Sequence, residues 1–284
     1  MAAGRYAPSP TGDLHLGNLR TALLAWLFAR SAGSAFVVRM EDLDRVTSSA
    51  DHAQRQLEDL ASLGLDWDDE VVFQSERFDR YGAAIDVLSA AGLTYPCYCT
   101  RREIAEAAVA PQGTEQPDGA YPGTCRDLSA ADRPLREEAG RPPALRLRAD
   151  GAVVSVQDRL RGGYSSRIDD VVLRRNDGVP AYNLAVVVDD AATGVEEVVR
   201  GDDLLASSPR QTYLARLLGL RAPSYAHVPL VLGPDGHRLA KRHGAVTMRD
   251  LAAQDSSPGD VLALLAASVN LARPGESIVA GQLV

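Results

Sequence analysis

Hydrophobic and polar residues follow two different patterns along the first 95 positions of the chain. Apolar side chains spaced for one face of a helix are interspersed with short runs that are apolar throughout, which are typical of buried strands. The pattern predicts strands over 4–9 and 35–40 and helices over 18–30, 49–63 and 77–91. Strands and helices that follow one another in this way favour a parallel α/β sheet.

A different pattern begins at Cys97. Periodicity is lost from there to about Pro143, where proline, glycine and polar residues dominate. Short strand-like pieces then follow at 144–148, 153–157 and 171–175. These features predict a small α+β domain inserted into the α/β domain.

The α/β pattern returns after the insertion. We predict a fully buried strand over 181–188, a second strand over 197–200 and a helix from Ser208 to Gly219. Ser208 is the expected N-cap of that helix and Pro209 its first residue. The chain then divides into four segments: the halves of the α/β domain at 1–95 and 176–232, the insertion at 96–175, and a C-terminal helical segment at 233–284.

Lysine is almost absent from the chain. Of the 30 basic residues, 29 are arginine, and the one lysine, Lys241, lies in a polar, Gly-flanked run. Arginine is a rigid planar fork, whereas lysine is a compact charge on a flexible stem that can follow a phosphate during reaction. Lys241 is therefore a candidate catalytic residue, although a single lysine surviving on a solvated loop gives the same composition.

Composition and charge exclude several classes of protein. With 45% hydrophobic and 24% charged residues, the chain is typical of a globular protein. Its apolar runs are shorter than the ~18 residues of a spanning helix and its N-terminus lacks a signal-peptide pattern, so we expect a soluble, cytoplasmic protein without membrane contact. The net charge of −8 argues against a nonspecific nucleic-acid binder and leaves the patch at 141–175, with eight arginines against four acids, as a candidate RNA contact.

A turn rich in proline and glycine joins the first strand to the first helix. In an open parallel sheet, ligands bind at the carboxyl ends of strands, and the N–H groups of the next helix attract phosphate. His15 lies just before this helix and can donate a hydrogen bond to a phosphoryl oxygen, while Gly17 has no side chain that would exclude a flat base. By itself, His-x-Gly is also compatible with an ordinary turn.

Three cysteines lie within a window of 29 residues: Cys97, Cys99 and Cys125. An odd number of cysteines in a cytoplasmic chain argues against disulfides, and zinc takes about four ligands. The five histidines lie elsewhere in the sequence, so the local candidates for a fourth ligand are oxygen donors such as Tyr121, Asp118 and Asp127. The alternative is three small buried hydrophobic residues.

Two motifs far apart in the chain together resemble a known family. His15-Leu16-Gly17-Asn18 follows Pro8-Ser9-Pro10-Thr11-Gly12, and Arg238-Leu239-Ala240-Lys241-Arg242 comes more than two hundred residues later. This pair resembles the two signatures of class I aminoacyl-tRNA synthetases, with Ala240 where the second signature usually has serine. The motifs Arg39-Met40-Glu41-Asp42 and Arg200-Gly201-Asp202-Asp203, and the run from Tyr182 to Asp190, narrow the resemblance to the glutamyl branch.

The resemblance implies both a fold and a reaction. The fold would be the class I synthetase Rossmann-like parallel sheet, split by a zinc-containing α+β insertion, with a short C-terminal helical segment. The carboxylate of glutamate would attack the α-phosphate of ATP, with Mg²⁺ assisting. Because this nucleophile is already an anion, catalysis consists of positioning and charge neutralisation. The expected catalytic residues are His15 and Lys241, and the expected ATP-binding residues are His15, Gly17, Asn18 and Lys241.

L-glutamate carries two carboxylates and one ammonium group, so its pocket needs at least one arginine and one acid. Arg5 and Arg200 can each hold a carboxylate bidentately, and Glu41 is the expected partner of the ammonium group. In the glutamyl family the matching positions line the glutamate site: Arg5, Tyr6, Ala7, Pro8, Ser9, Glu41, Tyr182 and Arg200. A structural ion pair is the alternative for any one of them.

The cysteine window resembles a narrower group. Cys97, Cys99, Tyr121 and Cys125 match the zinc site of glutamyl-queuosine tRNA(Asp) synthetases, which are shortened paralogues of glutamyl-tRNA synthetase. The resemblance implies one structural zinc ion that holds the insertion together, without an open coordination position for catalysis.

The length of the chain after Lys241 bears on the acceptor. About forty residues follow it, whereas a full glutamyl-tRNA synthetase continues into a helical anticodon-binding part. The resemblance therefore implies transfer of glutamate to queuosine at the wobble position of tRNA(Asp). We expect the enzyme to be a monomer and to bind the anticodon arm of this tRNA.

Three alternatives stay open. A minimal glutamyl-tRNA synthetase would charge a tRNA 3′ end. A nucleotidyltransferase of the same superfold would use His-x-Gly-His, and Asn18 in place of the second histidine argues against it. A non-catalytic RNA-binding paralogue would lack glutamate-dependent ATP–pyrophosphate exchange.

Overall fold

The computed structural model describes residues 2–100, 102–104, 121–129, 131–138, 140, 142–233, 246–273 and 275–284. The chain forms two compact units. The first unit comprises 1–75, 193–204 and 224–284, and the second comprises 76–192 and 205–223. The four-segment division of the sequence stays a prediction.

Parallel strands form the sheet of the first unit. In its described part these are β1 (Ala3–Tyr6), β2 (Ala35–Met40), β3 (Val72–Phe73), β9 (Val195–Gly201) and β10 (Ser224–Val228). Their order across the sheet is β3-β2-β1-β9-β10, with Arg5 opposite Val37 and His227 opposite Arg200. Because all these strands run in one direction, their carboxyl ends meet at a single edge of the sheet.

Helix α1 packs closely on β1. The described helices of the first unit are α1 (Leu16–Ser31), α2 (Ala50–Ser62), α7 (Met248–Ala252) and α8 (Pro258–Ala267). A Cβ atom on Gly4 of β1 would lie 2.9 Å from the Cβ atom of Ala29, so glycine at this position permits the close approach. The buried core between helix and sheet includes Leu19, Leu23, Trp26, Phe36 and Val38.

Antiparallel strands and helices build the second unit. Its strands are β4 (Thr94–Cys97), β5 (Ala144–Leu147) and β8 (Val172–Arg174), in the order β4-β5-β8, and the hairpin of β6 (Val153–Asp158) and β7 (Gly162–Arg167). Its helices in the described part are α3 (Phe78–Ala90), α4 (Asp132–Glu137), α5 (Tyr182–Ala192) and α6 (Ser208–Leu217). Mixed α and β elements therefore occupy the region where the sequence predicts an insertion.

The prediction of a buried strand over 181–188 is wrong, because this run forms α5. A continuous apolar run has no visible period, so it fits a buried strand and a buried helix equally well. The helix is enclosed on several sides: Asp189 accepts a hydrogen bond from Tyr81 of α3, and Asn183 accepts one from Gln211 of α6. Tertiary packing thus outweighs the strand preference of the three consecutive valines.

Two element boundaries also differ from the predictions. β1 ends at Tyr6, not at residue 9, in keeping with Pro8 and Pro10, which cannot donate to a strand ladder. Ser208 is the first residue of α6, so it is not the N-cap as expected, and the preceding Ser207 makes no capping hydrogen bond. A 3₁₀ helix over Asp202–Ser207 leads directly into α6 at this point.

None of the helices in the described ranges is long and apolar enough to cross a membrane.

Candidate active site

His15 caps the N-terminus of α1. Its Nδ1 atom accepts hydrogen bonds from the backbone N–H groups of Gly17, at 3.0 Å, and Asn18, at 3.2 Å. The Asn18 side chain returns the interaction by accepting from the His15 N–H group at 3.3 Å, which completes a capping box. Because Nδ1 is an acceptor, a neutral imidazole carries its proton on Nε2 and can donate from that atom.

Gly17 lies directly under the imidazole of His15. A Cβ atom at this position would lie 2.9 Å from Cε1 and 3.0 Å from Nδ1 of His15. A side chain at position 17 would therefore force the His15 ring to move. Glycine here permits the capping conformation of the histidine, in addition to the open space for a base that the sequence suggests.

Lys241 and its neighbours at 234–245 lie outside the described residues. The chain that follows them is placed beside His15, which forms an isolated antiparallel bridge with Thr247. The Leu16 N–H group donates to the Val246 carbonyl at 3.0 Å. The chain that precedes them is also close, because the Cβ atom of Val231 is 3.6 Å from a Cβ atom built on Gly17. The described residues on either side of 234–245 therefore lie close to the N-terminus of α1.

Arg5 and the residues after it lead from β1 to the turn. Arg5 is buried, and its Nη1 atom donates to the Val199 carbonyl of β9 at 2.8 Å. Tyr6 donates to the Asn18 carbonyl at 3.3 Å, and burial raises the pKa of its phenol above the usual range. Ala7 is half-buried, Pro8 is buried and accepts from the Glu41 N–H group at 2.9 Å, and Ser9 is exposed.

Glu41 follows β2 and lies beside a buried cation. Its Oε1 atom is 3.3 Å from Nη2 of Arg39. Arg39 is almost fully buried, so this carboxylate already balances one positive charge next to the carboxyl edge of the sheet. The preceding strand thereby orients the side chain that the sequence singles out for an ammonium group.

Arg200, near the end of β9, is held by a residue that sequence reasoning missed. Its Nε atom donates to Nε2 of His227 at 3.0 Å, and its Nη2 atom donates to the Leu204 carbonyl at 3.3 Å. Tyr225 stacks against His227 with ring centroids 5.9 Å apart and has the Arg200 guanidinium 5.4 Å from its centroid. Two side chains and one backbone carbonyl thus fix the direction of this guanidinium.

Tyr182 belongs to the second unit, where it is the first residue of α5. The structure describes Arg5, Glu41 and Arg200 within the first unit. The phosphate candidates His15, Gly17 and Asn18 belong to that unit as well, at the start of α1.

The cysteine side chains meet in the second unit. The Sγ atoms of Cys97, Cys99 and Cys125 all lie within 4.8 Å of one another. The Tyr121 hydroxyl is 3.3 Å from the Cys97 sulfur and 3.7 Å from the Cys99 sulfur. A tetrahedral zinc site with bonds near 2.3 Å has ligand–ligand edges of about 3.8 Å, so these four atoms have the spacing of a zinc ligand set.

The other oxygen donors considered for this cluster are less suitable or outside the described residues. Asp127 pairs with Arg148 at 3.0 Å, and Asp118 lies outside the described residues.

The hydrogen bond between Cys97 and Cys125 raises the pKa of Cys97 and lowers that of Cys125. Burial raises the pKa of Tyr121, so a bound cation would be needed to ionise this phenol.

Comparison with known proteins assigns the chain to a family. The family described as tRNA synthetases class I (E and Q), catalytic domain, matches residues 2–271. The chain belongs to this family. The predicted class I synthetase α/β fold with a mostly parallel sheet is therefore confirmed.

Two relatives of this class I synthetase are similar over most of both chains. Glutamyl-Q tRNA(Asp) synthetase of Nocardia farcinica is 65% identical over 279 residues, which cover 98% of this chain and 88% of the relative. The protein of the same name from Cutibacterium acnes is 55% identical over 273 residues, covering 95% of this chain and 76% of the relative.

A solved class I synthetase structure matches the fold. The glutamate tRNA ligase of Elizabethkingia meningosepticum, in complex with its amino acid, superposes with a TM-score of 0.80 at 26% identity. The match covers 99% of this chain and 64% of that ligase, so the chain spans less than two thirds of the ligase.

The arginines of the basic patch at 141–175 differ in their exposure and in their partners. Arg146 is buried, and Arg148 and Arg175 pair with nearby aspartates. Arg159 and Arg161 are exposed at the turn between β6 and β7. Asp158 shapes this turn by accepting hydrogen bonds from the backbone N–H groups of residues 160 and 161.

Proposed function

We propose that this chain activates L-glutamate with ATP and transfers it to the queuosine at the wobble position of tRNA(Asp). The observation that carries the proposal is the 65% identity, over 98% of the chain, with a relative named glutamyl-Q tRNA(Asp) synthetase. Its family, class I tRNA synthetases for E and Q, supports the activation step.

In the proposed ATP site the phosphates bind between the start of α1 and the Lys241 segment. His15 donates a hydrogen bond from Nε2, because its Nδ1 atom is occupied by the backbone of Gly17 and Asn18. The helix N-terminus adds its own partial positive charge. Lys241 neutralises the charge that develops on the phosphates, and Mg²⁺ bound with ATP contributes further charge compensation.

The proposed glutamate site lies at the carboxyl edge of the first-unit sheet. Arg5 and Arg200 bind the carboxylates and Glu41 binds the ammonium group, in line with the charges that the substrate presents. The segment Tyr6, Ala7, Pro8 and Ser9 forms the backbone wall. Tyr182, in the second unit, stays a prediction from the sequence. The attacking carboxylate is already an anion and needs no general base, so positioning and charge carry the reaction.

The proposed metal site consists of Cys97, Cys99, Tyr121 and Cys125. Its support is the spacing of the four donor atoms, which suits one tetrahedral zinc ion. A zinc ion with four protein ligands is structural, and it would connect the end of β4 to the segment at 121–125.

One transfer assay tests the function. Purified protein is incubated with labelled glutamate, ATP and tRNA(Asp) that either carries or lacks queuosine. We expect label on the queuosine tRNA alone, and we expect it to survive removal of the 3′ terminal adenosine. Label that depends on that adenosine would instead indicate charging of the 3′ end.

A second assay separates activation from transfer. Glutamate-dependent ATP–pyrophosphate exchange should occur without any tRNA, with aspartate and glutamine as controls for the amino acid. A protein without exchange activity would contradict the proposal and favour a non-catalytic RNA-binding role.

A further inference from the structure

Arg146 is a buried cation beside the cysteine cluster. It lies on β5, is 7% exposed, and places its guanidinium carbon 3.7 Å from the centroid of the Tyr121 ring. Its Nη1 atom donates to the Asp170 carbonyl at 2.7 Å, which holds the guanidinium over the ring. The cation therefore has a fixed position against one candidate metal ligand.

The charge of Arg146 has no carboxylate partner in the part of the chain that the structure describes. The nearby Asp170 carboxylate is used by other groups, since Oδ2 accepts from Tyr95 and Arg126 and Oδ1 from the Ala149 N–H group. The Nε atom of Arg146 is buried without a hydrogen-bond partner. Burying an arginine charge is costly unless an anion compensates it.

The metal-loaded cluster would be that anion. A divalent ion bound by three thiolates and one phenolate has a net charge of about −2, and such clusters are stabilised by positive groups around them. Tyr121 is the cluster member that faces Arg146, because the guanidinium stacks on the tyrosine ring. Planar stacking on an aromatic ring favours arginine over lysine.

We propose that Arg146 is a positioning residue of the metal centre, which orients the Tyr121 ring and compensates the negative charge of the zinc-bound cluster. The inference rests on the metal site proposed above. It assigns a role to an arginine that composition alone places in a basic surface patch. It also has a distinctive consequence: the same cation that stabilises the metal-bound state is uncompensated in the metal-free state.

The test compares zinc affinity and thermal unfolding in four full-length proteins. These are the wild type, Arg146→Met, Arg146→Lys and the matched control Arg148→Met. Arg148 is two residues away, pairs with Asp127 and donates to the Arg126 carbonyl. Its loss removes one arginine from the same region but leaves the stacking of Arg146 on the Tyr121 ring in place. Zinc affinity is measured by competition with a chelator, and unfolding is followed with and without zinc.

We expect Arg146→Met to weaken zinc binding by about 10- to 100-fold, the usual effect of losing a partner of metal ligands. The metal-free variant should unfold at the same temperature as the metal-free wild type or higher, because an uncompensated buried charge is gone. Arg146→Lys should recover part of the affinity, and Arg148→Met should bind zinc as the wild type does.

Three outcomes would overturn the inference. Equal zinc affinity in wild type and Arg146→Met would remove the role of Arg146 while leaving the metal site intact. Weaker binding accompanied by an equal loss of stability in the metal-free variant would show that Arg146 acts only through packing. A wild-type protein that binds no zinc would overturn the metal site together with the role of Arg146.

Discussion

Arg200 donates a hydrogen bond from Nε to Nε2 of His227 at 3.0 Å, across two neighbouring parallel strands. Both side chains are buried, with 4% and 0% exposure. Because Nε2 accepts, His227 is neutral here with its proton on Nδ1. A protonated imidazole would place two cations in contact, so the neutral form is required to direct the guanidinium.

We predict that this contact sets the affinity of the proposed glutamate site. Replacing His227 by Phe keeps an aromatic ring against Tyr225 but removes the acceptor. Loss of a hydrogen bond to a charged group costs about 1.5 to 3 kcal/mol, so the KM for glutamate should rise about tenfold or more. The measurement is ATP–pyrophosphate exchange at varied glutamate concentration.

The control variant is His227→Gln, which keeps an oxygen acceptor for Arg200. It should restore a KM closer to that of the wild type, while the KM for ATP stays constant in both variants. If Phe and Gln at position 227 behave alike, His227 has only a packing role.

A second prediction separates two roles of His15. Asparagine is among the best N-cap residues, so His15→Asn should keep the stability of the protein within about 0.5 kcal/mol. It removes the Nε2 donor, and loss of one such donor to a developing charge lowers the rate by about 10²- to 10³-fold. Exchange rate and thermal unfolding are measured on the same preparation.

His15→Ala serves as the comparison. It loses both the donor and the cap, and should therefore lose about 1 kcal/mol of stability besides activity. Full exchange activity in His15→Asn would show that the histidine is needed for capping alone.

Local sequence was sufficient to predict the parts of the fold and site that depend on residues close together in the chain. The turn before α1 places His15 at a helix start, and the alternation of strands and helices places that start at the carboxyl edge of a sheet. The helix at 182–192 was mistaken for a strand because its apolar run carries no period.

Contacts between residues that are far apart in the sequence left no sequence pattern from which they could be predicted. His227 becomes the partner of Arg200 only because β9 and β10 pair in register. Arg146 occupies a polar position in the alternating run at 144–148, which normally indicates solvent. The segment that carries Tyr121 covers this position, so a residue counted as part of a basic surface is buried.

A third prediction concerns Lys241, which lies outside the described residues. The described residues on either side of 234–245 lie close to the N-terminus of α1. Lys241→Arg keeps the charge but replaces a flexible ammonium group by a planar fork. We expect most of the exchange activity to be lost, with little change in the KM for glutamate. Full exchange activity in the arginine variant would contradict the argument that this position needs lysine.

The last prediction is a pH dependence of stability that arises at Asp59 of α2. Burial, with a further contribution from the Asp13 carboxylate, raises its pKa from 3.8 to about 6, against the opposing charges of Arg249 and Arg55. Between these two pKa values the folded protein keeps a proton that the unfolded chain has lost, so stability falls as the pH rises through this window.

Asp59→Asn mimics the protonated form and should stabilise the protein by about 1 kcal/mol near neutral pH, after allowance for solvent screening. The gain should shrink as the pH falls and disappear below about 3, where Asp59 is protonated in both the folded and the unfolded state. Urea unfolding across this range tests it, with Glu70→Gln, a change at an exposed acid, as the control for net charge. An equal gain at all pH values would exclude titration of Asp59 as the cause.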